Sequence, residues 1–282
     1  GKIADASDYY NRQLKICNKY DMKNERSKSL GNLAIINFIQ GKFDDALHIF
    51  QKVLDVNQEI GDQQAIAKSL GNIGQAHNKL KNYDNAMDYY NQMLDLSIRI
   101  GDQQTKANAY SSIGVVYKHQ CKYGKAIDSF NENLKIIEVL KINSALANTY
   151  GNMAETYMEK GNFSLAREYL DKTLIICRDQ SDSRIEAQVL KLLAKIDVEE
   201  VKFASAMKNI EIASALFSSI NNFHELYRSE LIKVEIQRNN KEYKAAIKSI
   251  ASAKKYASKI GSSNNEFLCS FLLEVINYQS GT

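Results

Sequence analysis

The chain has 282 residues, with no proline, no tryptophan and only 13 glycines. Usual proline content of roughly 5% makes its complete absence incompatible with a proline-rich linker, a collagen-like repeat or a loop-rich secreted fold, and leaves a nearly all-helical chain with short connections. Net charge is +4, from 37 basic and 33 acidic residues, too mild to argue for nucleic acid.

Hydrophobic content of 44% is ordinary for a chain that packs a core. No apolar stretch approaches the roughly 18 residues of a membrane helix, and no signal sequence opens the chain. No membrane partner and a cytoplasmic location are therefore expected. Cys17, Cys121, Cys177 and Cys269 lie far apart without a CxxC pair, so they read as four small buried hydrophobes rather than a zinc site or a disulfide framework.

In chain order the elements repeat. Residues 1–22 carry Ala6, Tyr10 and Leu14 in phase with Ala46, Phe50 and Leu54 and read as a lone second helix of a pair. From there one register recurs at a constant offset, marked by Ala46, Ala86, Ala126, Ala166, Ala206 and Ala246. An aromatic stands three residues before each alanine, as in Phe43 and Tyr83, and a large apolar residue four after, as in Phe50 and Tyr90. A compact residue stands twelve before, from Ala34, Gly74 and Gly114 to Val234.

Within a unit the apolar spacing is i, i+3, i+4, i+7, the helical pattern. Gly61-Asp62 and Gly101-Asp102 supply a residue that ends one helix and a residue that caps the next. Six units of helix A, tight turn, helix B follow over 23–62, 63–102, 103–142, 143–182, 183–222 and 223–262. Residues 263–282 read as a final helix A, which makes about 14 antiparallel helices. One pair cannot bury both its apolar stripes; stacked pairs can, so the expected architecture is an α-solenoid running from 1 to 282. The chain starts and stops mid-unit, as a fragment of a longer protein or as one with natural half-unit caps would.

The small residue, alanine and aromatic of each unit (Gly74, Ala86 and Tyr90, with Leu70, Ile73 and Tyr83) resemble the tetratricopeptide repeat (TPR). The period is 40 rather than 34, and Gly-Asp replaces the proline that commonly ends a unit. Both departures resemble the long-repeat subclass of spindle-orientation adaptors with Leu-Gly-Asn motifs, kinesin light chains and bacterial signalling arrays. The resemblance implies an all-α, right-handed solenoid whose helix A residues line a concave groove, and a protein or peptide partner held there as an extended or helical segment.

The helix A positions not used for packing are the candidate binding residues: Lys28 and Asn32; Lys68, Asn72, Gln75 and Lys79; Asn108 and Ser112; Asn148, Asn152 and Glu155. An amide both donates and accepts, so an asparagine ladder can pair with a peptide backbone without reading its sequence. The adjacent Gly31, Gly71 and Gly151 would let that backbone come close or would serve helix–helix contact. The motif fades at Lys191-Leu192 and Leu231-Ile232, which puts the expected site in the first four units. Lys28, Lys68, Lys79 and Lys118 would favour an acidic ligand, and Glu155, Glu159 and Glu199 a basic one.

The Lys-x-x-x-Asn clamp of chaperone-tail receptors is missing: the equivalent slots hold Gly31 and Ile35, Gly71 and Gln75, Gly151 and Glu155. No metal spacing, phosphate loop or nucleophile signature appears, and His77 shares its slot with Tyr117 and Tyr157, a packing position. No enzyme activity and no cofactor are expected. Two functional readings stand side by side, an interaction scaffold and a sensing segment of a larger signalling enzyme or transcription regulator. Self-association through the apolar 263–279 helix is a third expectation.

Overall fold

In the computed structural model, which describes residues 2–280, fourteen α-helices and no strand are present among the described residues. The chain divides into two compact units, Gly1–Ile142 and Asn143–Thr282. The first holds α1 (Lys2–Lys19), α2 (Lys23–Ile39), α3 (Phe43–Ile60), α4 (Gln63–Lys79), α5 (Tyr83–Ile100), α6 (Gln103–His119) and α7 (Tyr123–Leu140). The second holds α8 (Asn143–Glu159), α9 (Phe163–Asp179), α10 (Ser183–Glu199), α11 (Phe203–Ser219), α12 (Phe223–Asn239), α13 (Tyr243–Ile260) and α14 (Ser263–Ser280). Within each unit every helix packs on the next, and α4 on α6, α8 on α10 and α10 on α12 also meet. These are stacked helix pairs of the TPR type.

The repeat register is the core register. Ala46, Ala86, Ala126, Ala166, Ala206 and Ala246 are all fully buried, and Phe50, Tyr90, Phe130, Leu170, Ile210 and Ile250 are buried four residues on. Removing each of the larger groups from water contributes about 1.5–3 kcal/mol. The compact positions have a direct steric cause. A Cβ at Gly74 would lie 2.7 Å from the Tyr90 ring, and one at Gly114 would lie 2.5 Å from the Phe130 ring. Helix B of the same pair therefore closes onto bare backbone.

The helix starts follow the sequence. The Asp62 side chain accepts from the Ala65 N–H at 3.0 Å. Asp102 accepts from the Thr105 N–H at 3.0 Å and from its hydroxyl at 2.7 Å, and Asp182 from the Ile185 N–H at 3.0 Å. The cysteines differ from expectation in one case. Cys17, Cys177 and Cys269 are buried, but Cys121 is exposed, because it occupies the left-handed turn position (φ 58°) between α6 and α7, which points away from the core.

Candidate functional site

Helix A of each pair is α2, α4, α6, α8, α10 or α12. Its packing residues face helix B and the neighbouring pairs, which leaves on the other side a stripe that repeats in register from pair to pair. Lys28, Lys68, Asn108 and Asn148 are exposed, as are Gln75 and Lys79; Asn32, Asn72, Ser112, Asn152 and Glu155 are half-buried.

In the first unit the residues are only partly available. The Ser112 hydroxyl lies toward the buried Tyr90 phenol, whose pKa burial pushes up to about 12 against the lowering influence of that hydroxyl. Asn108 Oδ1 accepts from Gln104 Nε2 at 3.3 Å. Lys68 faces the cap of α6: Asp102 is held below the usual carboxylate range chiefly by the Thr105 backbone and hydroxyl, with the Lys68 charge assisting. Lys118, expected among the groove cations, is buried instead. His77 stacks on Tyr89 at 5.5 Å, which matches its reading as a packing residue. Two clefts of this unit, one beside α7 lined by Tyr110 and Glu132 and one at the α4–α5 turn lined by Asn82 and Gln120, are built from other residues.

The second unit brings three candidates together. Asn148, Asn152 and Glu155 of α8 line a cleft of about 210 Å³ whose floor is Leu170 and Thr173 of α9 and whose far wall is Gln188 and Leu192 of α10. Gly151 opens onto it, and a Cβ there would meet nothing within 4 Å; the same is true at Gly31. Gly71 is different, with Met93 Sδ 3.0 Å from such a Cβ. The space above Gly31 and Gly151 is thus not claimed by a neighbouring helix. Gln188 and Leu192 were missed from sequence. Gln188 stands one full period after Asn148, so the register would have found it once the loss of the Gly-Asn pair was not taken as the end of the stripe.

Chemically, the cleft offers three side-chain amides, one carboxylate and apolar walls. Among the described residues no cluster of three or more His, Cys, Asp or Glu is placed to hold a metal, and no helix is long and apolar enough to cross a membrane.

Family models described as "Tetratricopeptide repeat" match residues 63–138 and residues 27–60 and 146–179. A search of curated proteins finds no match. Among solved structures, the chain is similar to a signal transduction ATPase with numerous domains from Pyrococcus horikoshii that has a tetratricopeptide repeat sensor (16% identity, TM-score 0.75, 98% of this chain but 43% of that one). It is also similar to a Rap protein complexed with Competence and Sporulation Factor (13%, 0.68, 99% and 87%). A third is the quorum sensor NprR from B. thuringiensis (15%, 0.65, 94% and 81%). At these identities the likeness speaks for the fold. Matched by the family's own models over about half its residues, and folded as that family folds, the chain belongs to the tetratricopeptide repeat family.

Proposed function

We propose that the protein is a non-enzymatic scaffold that binds a segment of a protein partner along its helix A faces, with the α8–α10 cleft as the principal contact. The observation that carries this is the convergence of Asn148, Asn152 and Gln188 around the open backbone at Gly151. Each amide can exchange two hydrogen bonds with a peptide unit, and each net bond contributes about 0.5–1.5 kcal/mol. Leu192 and Ile185 on the far wall give apolar contact. The cleft is small, so the segment lies across it rather than inside it, extended along the residues that follow in the same unit. The first unit offers Lys28, Asn32, Lys68, Asn72, Gln75 and Lys79 on its own helix A faces. Two proteins of the same fold are in keeping with this reading: a Rap protein seen in complex with Competence and Sporulation Factor, and a quorum sensor.

The test is an anisotropy titration with labelled extended peptides against the wild type and Asn72→Asp/Asn152→Asp. Aspartate keeps the shape, removes the donors and places a negative charge beside the peptide carbonyls. Affinity is expected to fall by about tenfold or more, one charge-assisted bond being worth about 1.5–3 kcal/mol. Unchanged affinity for every peptide that the wild type binds refutes the amide ladder.

A further inference from the structure

Beyond the α8–α10 cleft, the stripe continues through the second unit with a graded chemistry. At successive repeat steps its four positions read Asn148, Gln188, Arg228, Leu268; Gly151, Lys191, Leu231, Phe271; Asn152, Leu192, Ile232, Leu272; and Glu155, Lys195, Glu235, Val275. The stripe is amide-bearing on α8, cationic on α10, of mixed charge on α12, and apolar on α14.

The cationic part is a second cleft, of about 280 Å³, between α10 and α12. Lys191 Nζ is held by Glu225 at 2.5 Å, and Arg228 Nη1 by the same carboxylate at 2.9 Å. One anion therefore serves two cations. The Arg228 side chain is 64% exposed and lines the cleft, and a guanidinium has five donors, so its single bond to Glu225 leaves donors for a ligand. Lys195, one helical turn from Lys191, is exposed and has no ion pair among the described residues. Glu235 is the opposing charge in this cleft. With Lys191, Lys195 and Arg228 against Glu225 and Glu235, the cleft is net cationic.

The apolar part is α14. This helix is anchored by buried Cys269 and Ile276, and the Cys269 thiol lies against the Tyr227 hydroxyl of α12. Two of its four stripe residues are exposed, Leu268 at 40% and Phe271 at 54%, while Leu272 and Val275 are half-buried. Large apolar groups grouped on a polar-rimmed face mark a binding surface more often than a solvated one.

We propose that this groove takes an extended peptide in which an acidic residue stands about three residues from a pair of large apolar residues. The acidic side chain lies over Lys195 and Arg228, and the apolar pair lies on Leu268 and Phe271. The proposal rests on the peptide-binding reading above and names the class of ligand for the same face. The spacing takes the single repeat step from Arg228 to Leu268 as about 8–10 Å, and an extended chain advances about 3.3 Å per residue. A planar guanidinium favours a carboxylate, which it can meet with two parallel bonds.

The experiment uses the full chain and labelled extended peptides of a Ser/Ala background. Each carries a Leu-Phe pair and, three residues away, Glu, Gln or Lys; dissociation constants come from anisotropy at low and high salt. The Glu peptide is expected to bind about tenfold tighter than the Gln peptide at low salt, two exposed ion pairs with bidentate geometry giving up to about that factor, with the advantage shrinking at high salt. Lys195→Gln/Arg228→Gln should erase the advantage. Leu268→Ser/Phe271→Ser should weaken all three peptides and keep the Glu-over-Gln ratio. Equal binding of all three peptides to the wild type overturns the acidic-ligand assignment and leaves the peptide-binding reading standing; no binding of any overturns both. A dimer in light scattering that Leu268→Ser/Phe271→Ser dissolves gives the α14 face to a second copy and overturns the apolar half of the proposal. All four side chains are exposed or at a cleft rim, and unchanged far-UV circular dichroism of each variant confirms that binding, not folding, is read.

Discussion

Mid-helix glycines divide into two classes that should respond to alanine in opposite directions. Alanine is favoured over glycine inside a helix by about 1 kcal/mol. At Gly31 and Gly151 nothing lies within 4 Å of the added Cβ, so that gain should appear undiminished. At Gly114 the added carbon would sit 2.5, 2.8 and 2.9 Å from three atoms of the Phe130 ring, and at Gly74 2.7–3.0 Å from Tyr90. Phe130 is fully buried and Tyr90 nearly so, so neither ring can withdraw without displacing a packed neighbour. Overpacking of this kind costs about 1–3 kcal/mol. Net, Gly31→Ala should gain about 1 kcal/mol, while Gly74→Ala and Gly114→Ala should lose up to about 2 kcal/mol. Gly71→Ala should be near neutral, since its neighbour at 3.0 Å is the flexible Met93 thioether.

Urea unfolding followed by far-UV circular dichroism ranks the four first-unit variants within one cooperative context, which matters because repeat arrays need not unfold as one. Gly114→Ala as stable as Gly31→Ala would falsify the steric account of the compact positions. Gly151→Ala adds a functional readout. It should stabilise by about 1 kcal/mol and yet weaken peptide binding, because its methyl group enters the α8–α10 cleft; a stabilised variant with unchanged affinity would show that the bound backbone does not approach there.

Three further perturbations have signs fixed by the structure. His77 Nδ1 is buried without a hydrogen-bond partner, and burial lowers the pKa below its unfolded value of 6.5. The unfolded chain then binds the extra proton, so this contribution is present above that pH and is lost as pH falls through and below it. Between about pH 7.5 and about pH 5.5 the wild type should lose more stability in thermal melts than His77→Tyr, which recreates the Tyr157–Tyr169 stack (5.6 Å) of the same register position. Val201 is a β-branched residue held at φ 60° and 69% exposed; Val201→Gly should stabilise by about 1 kcal/mol in denaturant unfolding, since left-handed backbone costs a non-glycine residue about 1–2 kcal/mol and little burial is lost. Asp197 is 1% exposed and accepts from Arg167 at 2.7 Å, Ser205 at 2.7 Å and Asn209 at 2.9 Å; Asp197→Ala should cost about 3 kcal/mol by stranding those donors, and a loss under about 1 kcal/mol would contradict a network that secures α9, α10 and α11.

The repeat was legible because it is written in side chains that packing dictates. A fully buried alanine with an aromatic before it and a large apolar residue after it has few substitutes, so it recurs at every repeat step. The binding stripe was less legible because solvent tolerates many residues there. Asn148 and Gln188 occupy equivalent positions on facing walls of one cleft, yet only the first stood in a recognisable pair with glycine. Lys191-Leu192 breaks the motif and reads as its end, although Lys191 lines the next cleft. Register turns Ser112 outward; its approach to the Tyr90 phenol depends on which side chain faces it from α5, which one helix's sequence does not contain.

The connections explain the missing proline more fully than helix content does. Glycine at the breaks marked only some of them in the sequence. Among the described residues, positive φ occurs at five glycines and eight other residues, and these recur at even steps from Asp21, Gly41 and Gly61 through to Lys241 and Gly261. The next residue in each turn closes it by donating its N–H to the carbonyl five residues back: Met22 to Cys17, Lys42 to Asn37, Asn82 to His77 and so on to Ser262 to Ala257. This is the Schellman closure of a helix end. Proline cannot adopt positive φ and has no N–H to donate. Both turn residues therefore exclude it, and helix interiors exclude it everywhere else except the first helical positions. In most proteins proline resides in loops that tolerate it; among the described residues every turn here contains the same two-residue closure, which forbids it. Glycine, by contrast, is dispensable at the left-handed position. Asp, Lys, Ser, Asn, Cys and even Val stand there, because the closing bond and the packing of both flanking helices outweigh a cost of about 1–2 kcal/mol. A uniform turn thus fixes the half-period in the backbone, and the side chains on either side of it are left to set the full period and the groove.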